Sequence, residues 1–206
     1  MYSWRPILER KECLAQMLDA DWFMNLDADE IRLSPRGERP LAEAFAEVDR
    51  LGYNAVNFQE FTFIPTQEAT DHDHPDFLAT MRSYYPFSAS PLNQVKAWKR
   101  QDAPVRFSAS GGHRLEFPNL RIWPEDFVMK HYMFVSVEHA VRKYVERTYD
   151  PRELTEGWHR QRAALRRETI RLPRAAQLRR FVNDATLDAS NPLARHFLMH
   201  PARAPA

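Results

Sequence analysis

Cysteine is almost absent from the 206-residue sequence: Cys13 stands alone. That excludes an internal disulfide framework and an all-protein cysteine metal site, and it makes a reducing, cytoplasmic setting the expectation. Long apolar runs are missing too. Nothing approaches the roughly 18–20 residues that a membrane-crossing helix needs, and the opening Met-Tyr-Ser-Trp-Arg-Pro lacks the apolar region of a secretory signal. There is no internal repeat. Neither a zinc-finger pattern nor an aromatic-rich single-strand platform is present, so no nucleic-acid partner is expected.

What is there suits a globular chain. Apolar residues make up 44% and charged residues 28%. Thirteen Phe, seven Tyr and five Trp supply bulk for a core. The net charge of +1 conceals two unlike halves. Residues 1–80 hold 7 Lys+Arg against 16 Asp+Glu, whereas residues 81–206 hold 22 against 12. An acidic front and a basic back fit either two facing surfaces or a cation site followed by an anion site.

Hydrophobic periodicity predicts a helix over Arg5–Leu18, a short buried strand at Trp22–Leu26, and an amphipathic helix over Leu41–Leu51 stopped by Gly52. A strand follows over Tyr53–Ile64. Residues 65–91 lose the pattern, and a loop of that length is often functional. Strand-like segments return at Gln94–Trp98, Val105–Ser108, His113–Phe117 and Phe127–Phe134. Beyond Ser136, a natural helix N-cap, the chain reads as helical and Arg-rich, with helices over Pro151–Arg171 and Pro173–Asn183. This order suits an α/β layer with a partly parallel sheet flanked by helices and a helical C-terminal tail.

The densest chemistry lies where a buried strand, Trp22-Phe-Met-Asn-Leu26, runs into Asp27, Asp29 and Glu30. In extended chain Asp27 and Asp29 point the same way, about 6–7 Å apart, and Glu30 points across. Two carboxylates on one side of a sheet's mouth suit a hard cation, Mg²⁺ or Mn²⁺; a solvated acidic turn is the alternative. Gly111-Gly112 permits a sharp turn and close approach of backbone to a ligand. His113, directly after it, suits orienting an acceptor or a phosphate, or taking a proton. A hydrogen-bonded histidine near the core is the other reading for His113 and for His131. Asp71-His-Asp-His-Pro75 matches no metal spacing and reads as a solvated loop. Arg162, Arg166, Arg167 and Arg171 could line a helical face for phosphate or anionic lipid, a peripheral membrane contact.

Ala20-Asp-Trp22 followed by an apolar strand and Asp27-Ala-Asp-Glu30 resembles the motif of glycosyltransferase family 2-like enzymes of the GT-A fold. Gly52-Tyr-Asn-Ala-Val56, Gly111-Gly-His113, Lys130-His-Tyr132 and the late Leu172-Pro and Leu187-Asp-Ala-Ser-Asn-Pro-Leu193 match that group in order, from about residue 8 to residue 198. The resemblance implies transfer of a sugar from a nucleotide-sugar donor to a glycan or other acceptor hydroxyl, with a divalent cation (Mn²⁺ or Mg²⁺). Asp27 and Asp29 would be its Asp-x-Asp pair and His131 its late metal ligand. Glu30, Gly111 and Gly112 would help to hold the donor. His113, Glu125 and Asp126 are the candidates for acid–base work, a surface turn being the alternative for Glu125 and Asp126.

The resemblance also implies a division of the chain. Residues 1–135 would form a partial GT-A-like catalytic core, 136–200 a helical region packed on it, and 201–206 a disordered tail. A complete domain of that family carries roughly a hundred residues before the Asp-x-Asp strand, against about twenty here. The expectation is therefore a chain lacking the N-terminal nucleotide-binding portion, completed by a homodimer or by a partner chain supplying it. The competing function is a non-catalytic remnant or interaction module with a basic helical surface.

Overall fold

The computed structural model describes residues 1–199, and the tail expected to be disordered over 201–206 lies outside the described residues. In chain order the helices and strands are α1 (Arg5–Met17), β1 (Trp22–Met24), β2 (Glu30–Leu33), α2 (Leu41–Arg50), β3 (Ala55–Phe63), α3 (Phe77–Thr80), β4 (Ser83–Phe87), β5 (Val95–Lys99), β6 (Phe127–Tyr132), α4 (Val137–Ala140), α5 (Pro151–Thr155), α6 (Arg160–Ala163) and β7 (Arg179–Arg180). The class is mixed α/β. No helix among the described residues is long and apolar enough to cross a membrane.

The chain forms two compact units, one made of Met1–Ser3, Phe61–Ala89 and the chain from His131 onward, the other of Trp4–Glu60 and Ser90–Lys130. We call the second the N-terminal unit and the first the C-terminal unit. Strands β3 and β6 contribute residues to both.

In the N-terminal unit β5 pairs antiparallel with β1 (Phe23 opposite Trp98) and with β3 (Val56 opposite Ala97). A mixed, partly parallel sheet flanked by helices was the expectation, and the two ladders that β5 makes here are antiparallel. The strand–helix–strand order β1–α2–β3 does leave β1 and β3 running the same way, but β5 is inserted between them in the opposite sense. Helix α2 buries Ala44, Phe45 and Val48 and ends at Gly52, whose φ of +83° is open to glycine at little strain. Phe45 lies stacked between Trp22 at 4.9 Å and Phe127 at 5.4 Å. Phe58 meets Phe127 edge-on at 5.8 Å, and these rings close a core with Val56, Ala97 and Met129. Neither Val105–Ser108 nor His113–Phe117 forms a strand; a single antiparallel bridge, Arg106 with Glu116, joins them.

In the C-terminal unit β4 pairs antiparallel with β7. The core gathers Ile64, Tyr85, Phe87, Met133, Phe134 and Tyr144, among others. Ser136 does cap α4, its hydroxyl accepting from His139 N at 3.0 Å. The long helix expected over Pro151–Arg171 is broken. Gly157 (φ +95°) and His159 (φ +58°) turn the chain left-handed, which separates α5 from α6. Over Pro173–Asn183 the chain holds only a 3-10 turn, Ala175–Gln177, and β7.

Candidate functional site

All the reactive residues proposed from the sequence except His131 fall in the N-terminal unit. Asp27 to Glu30 does not continue β1 as extended chain. Ala28 and Asp29 form a turn, Glu30 N donates to Asp27 O at 3.1 Å, and Glu30 opens β2. The reversal overturns the expectation that Glu30 points across from Asp27. Both carboxylates face one ammonium instead: Lys96 Nζ lies 2.9 Å from Glu30 Oε1 and 3.3 Å from Asp27 Oδ2. Glu30 Oε2 takes Arg32 Nη2 at 2.5 Å and Asp27 N at 3.2 Å. The Lys96 side chain is 2% exposed and that of Glu30 4%, whereas that of Asp27 is 28% exposed. Burial raises the Asp27 pKa, but Lys96 and Lys11 outweigh it and hold the carboxyl below its ordinary range. The Arg32 guanidinium lies 4.5 Å over the Phe58 ring, and its buried Nε and Nη1 have no hydrogen-bond partner.

One residue before β5, Gln94 joins three more of these groups. Its Nε2 donates to Glu60 Oε2 at 2.7 Å, and its backbone N donates to Asn57 Oδ1 at 3.0 Å. Asn57 Nδ2 donates in turn to Asp126 Oδ1 at 2.8 Å. Gln94 Oε1 lies 3.4 Å from His113 Nδ1. Because the Glu60 carboxylate is acceptor-only, the amide nitrogen of Gln94 must face it and the amide oxygen must face His113. This assigns the proton to Nδ1 and the lone pair to Nε2 in the neutral ring. Glu125 is exposed and outside this network.

The two glycines serve the fold's own packing. A Cβ on Gly112 (φ +84°) would come 3.0 Å from Asn25 Nδ2 and 3.1 Å from Leu8 Cδ2. Its carbonyl accepts from Asn25 Nδ2 at 3.3 Å, and Lys11 Nζ donates to Asn25 Oδ1 at 2.6 Å. Gly111 O accepts from Trp4 Nε1 at 3.2 Å. The close approach predicted for this pair is thus met by protein atoms.

Among the described residues, Glu60, His131 and His196 each offer one ligand atom, all within 4.8 Å of one another, a group that could hold a metal ion. His131 is the metal ligand named from the sequence; Asp27 and Asp29 are not in the group. The implied set of Asp27, Asp29 and His131 is therefore not assembled, and Asp27 already has an ammonium on it.

Two further sequence expectations change. His72, in the loop read as solvated, is buried, its Nδ1 2.9 Å from Thr80 Oγ1, which also lies 3.1 Å from His74 Nε2. The arginines expected on one helical face are spread over a helix end and a turn. Arg166 bonds its own segment's carbonyls at Ala163 and Leu165, Arg167 pairs with Glu138, and Arg171 donates to Ile170 O.

Sequence reasoning missed Lys96, Arg32, Glu60, Gln94 and Asn57, all buried. A signal was present: Asn57, Glu60 and Lys96 interrupt runs of apolar strand residues, and charged side chains are seldom fully buried unless paired. Comparison with protein-family models, curated proteins and solved structures finds no match for this chain.

Proposed function

We propose that this chain acts in glycosyl transfer, moving a sugar from a nucleotide-sugar donor to an acceptor hydroxyl, with the polar network of the N-terminal unit as its reaction centre. One observation carries the reading. Asp27 and Glu30 bond to Lys96 in β5, His113 lies against Gln94 just before that strand, and Asp126 is joined to Gln94 through Asn57. Of these side chains, Glu30 and Lys96 are buried, and interiors are poor in such charges unless they are used or fully paired.

The chemistry asks for a base at the acceptor. In this reading the His113 imidazole takes that hydroxyl proton as the acceptor oxygen bonds to the anomeric carbon and the donor's diphosphate departs with the bonding pair. Gln94 fixes the ring's tautomer through Nδ1, and Asp126, exposed and steadied by Asn57, accepts hydrogen bonds from the acceptor. A divalent cation, when bound, neutralises the departing diphosphate. The donors that fit one are Glu60, His131 and His196.

Release of nucleoside diphosphate from a panel of nucleotide-sugars, with and without Mn²⁺ or Mg²⁺, tests this reading. Turnover that falls about 100-fold in His113→Ala supports it. A folded protein that turns over no donor, and melts at the same temperature with Mn²⁺, UDP or both, rejects it in favour of an interaction module.

A further inference from the structure

We infer that the Lys96 ammonium is the resident cation of the Asp27–Glu30 turn, and that this turn binds no divalent ion. The inference goes beyond the proposed transfer reaction and holds whether or not the chain transfers a sugar. Three of the four carboxylate oxygens of Asp27 and Glu30 already face the fold's own cations. Both oxygens of Glu30 are used, Oε1 by Lys96 at 2.9 Å and Oε2 by Arg32 at 2.5 Å. Asp27 gives Oδ2 to the same ammonium at 3.3 Å. A Mg²⁺ ligated by Asp27 would sit about 2.0–2.1 Å from its oxygen, on a carboxylate that already faces the buried charge of Lys96.

Lys96 is held in place by its surroundings. It sits in β5 between Val95 and Ala97, both buried, in a strand paired on both sides by β1 and β3. Its side chain is 2% exposed. Arg32, equally buried, braces Glu30 from the other side while stacking on Phe58. A buried ion pair needs its remaining valences met; both Glu30 oxygens are met within this turn, while Arg32 Nε and Nη1 have no hydrogen-bond partner and the guanidinium rests over the Phe58 ring. Asp29, the other half of the expected pair, stands in the turn beside Asp27 and destabilises the Asp27 carboxylate by like charge, a push that Lys96 and Lys11 overcome. The sequence pattern of a cation-binding loop is thus present with a lysine supplied from another strand in the cation's place.

The test is Mn²⁺ binding, counted by the electron paramagnetic resonance signal of free Mn²⁺, on the full chain. Asp27→Asn is expected to leave the number of bound ions and their affinity within about two-fold of the parent. Lys96→Met is expected to gain one bound Mn²⁺, and adding Asp27→Asn to it should remove that ion again. A ten-fold or greater loss of Mn²⁺ affinity in Asp27→Asn alone overturns the inference, and so does a folded Lys96→Met that gains no ion. Lys96→Gln, which keeps a polar tip for Glu30, replaces Lys96→Met if circular dichroism shows that the latter unfolds. Donor turnover is scored separately, so failure of the transfer reading leaves these binding counts interpretable, and the converse.

Discussion

Glu30 shares its two oxygens between Lys96 and Arg32, which makes it the keystone of the buried charges in the N-terminal unit. Replacing it with Gln keeps the shape but leaves two buried cations with a neutral amide between them. Loss of one partner from a buried pair is severe, so Glu30→Gln is expected to lower unfolding stability by about 3–5 kcal/mol in urea titration. Asp27→Asn removes a carboxylate that is 28% exposed, and the expected loss is below about 1 kcal/mol. If both variants lose equally, Glu30 does not organise the turn. Asp27, Glu30, His113 and Asp126 could be singled out in the sequence as polar candidates because they sit at or beside turns, where polar side chains stand out. Glu60 and Lys96 showed only as charged interruptions of apolar strand runs, and their partners could not be read, because a pairing such as that of Lys96 with Glu30, 66 residues apart, leaves no local trace.

Among the elements, the turn at Gly111-Gly112 shows most directly how a sequence signal can be right about conformation and silent about purpose. The paired glycines do adopt positive φ, yet the space gained is filled by Asn25 and Leu8. Gly112→Ala would strain φ and press on both neighbours, and we expect it to destabilise the chain by more than about 1 kcal/mol, read as a fall in melting temperature. Gly111→Ala meets only the His113 ring at 3.6 Å, ordinary contact distance, so φ strain alone should make it the milder change. Helices α1 and α2 and strand β3 were legible within one or two residues, since each has a clear apolar period and a recognisable stop. The long C-terminal helix was not, because Gly157 and the left-handed His159 interrupt an otherwise helical pattern. The antiparallel insertion of β5 was hidden as well, because strand order depends on contacts far apart in sequence.

For the molecule as a whole, pH should act through groups that burial keeps from ionising in their usual range. Burial lowers the pKa of His72 and of His159, for His159 despite Glu153 at 3.2 Å. Their unfolded values are about 6.5, so below that pH the unfolded chain takes up protons that the folded chain resists. Stability should therefore be full above about pH 7 and fall as pH drops toward 5. Asp27, whose folded pKa is depressed, adds stability above its unfolded pKa that is lost only under stronger acid. Urea midpoints at pH 8, 6.5 and 5 check this: a decline between 6.5 and 5 is expected, and flat midpoints would refute it. The hydrogen-bonded groups around Gln94 are proposed here as the reaction centre. The direct measurement is the rate of nucleoside diphosphate release by Gln94→Ala beside the exposed control Arg50→Ala, both at equal folded fraction. A drop of about 100-fold is expected for Gln94→Ala alone; equal rates in the two variants would show that these groups are not the reaction centre.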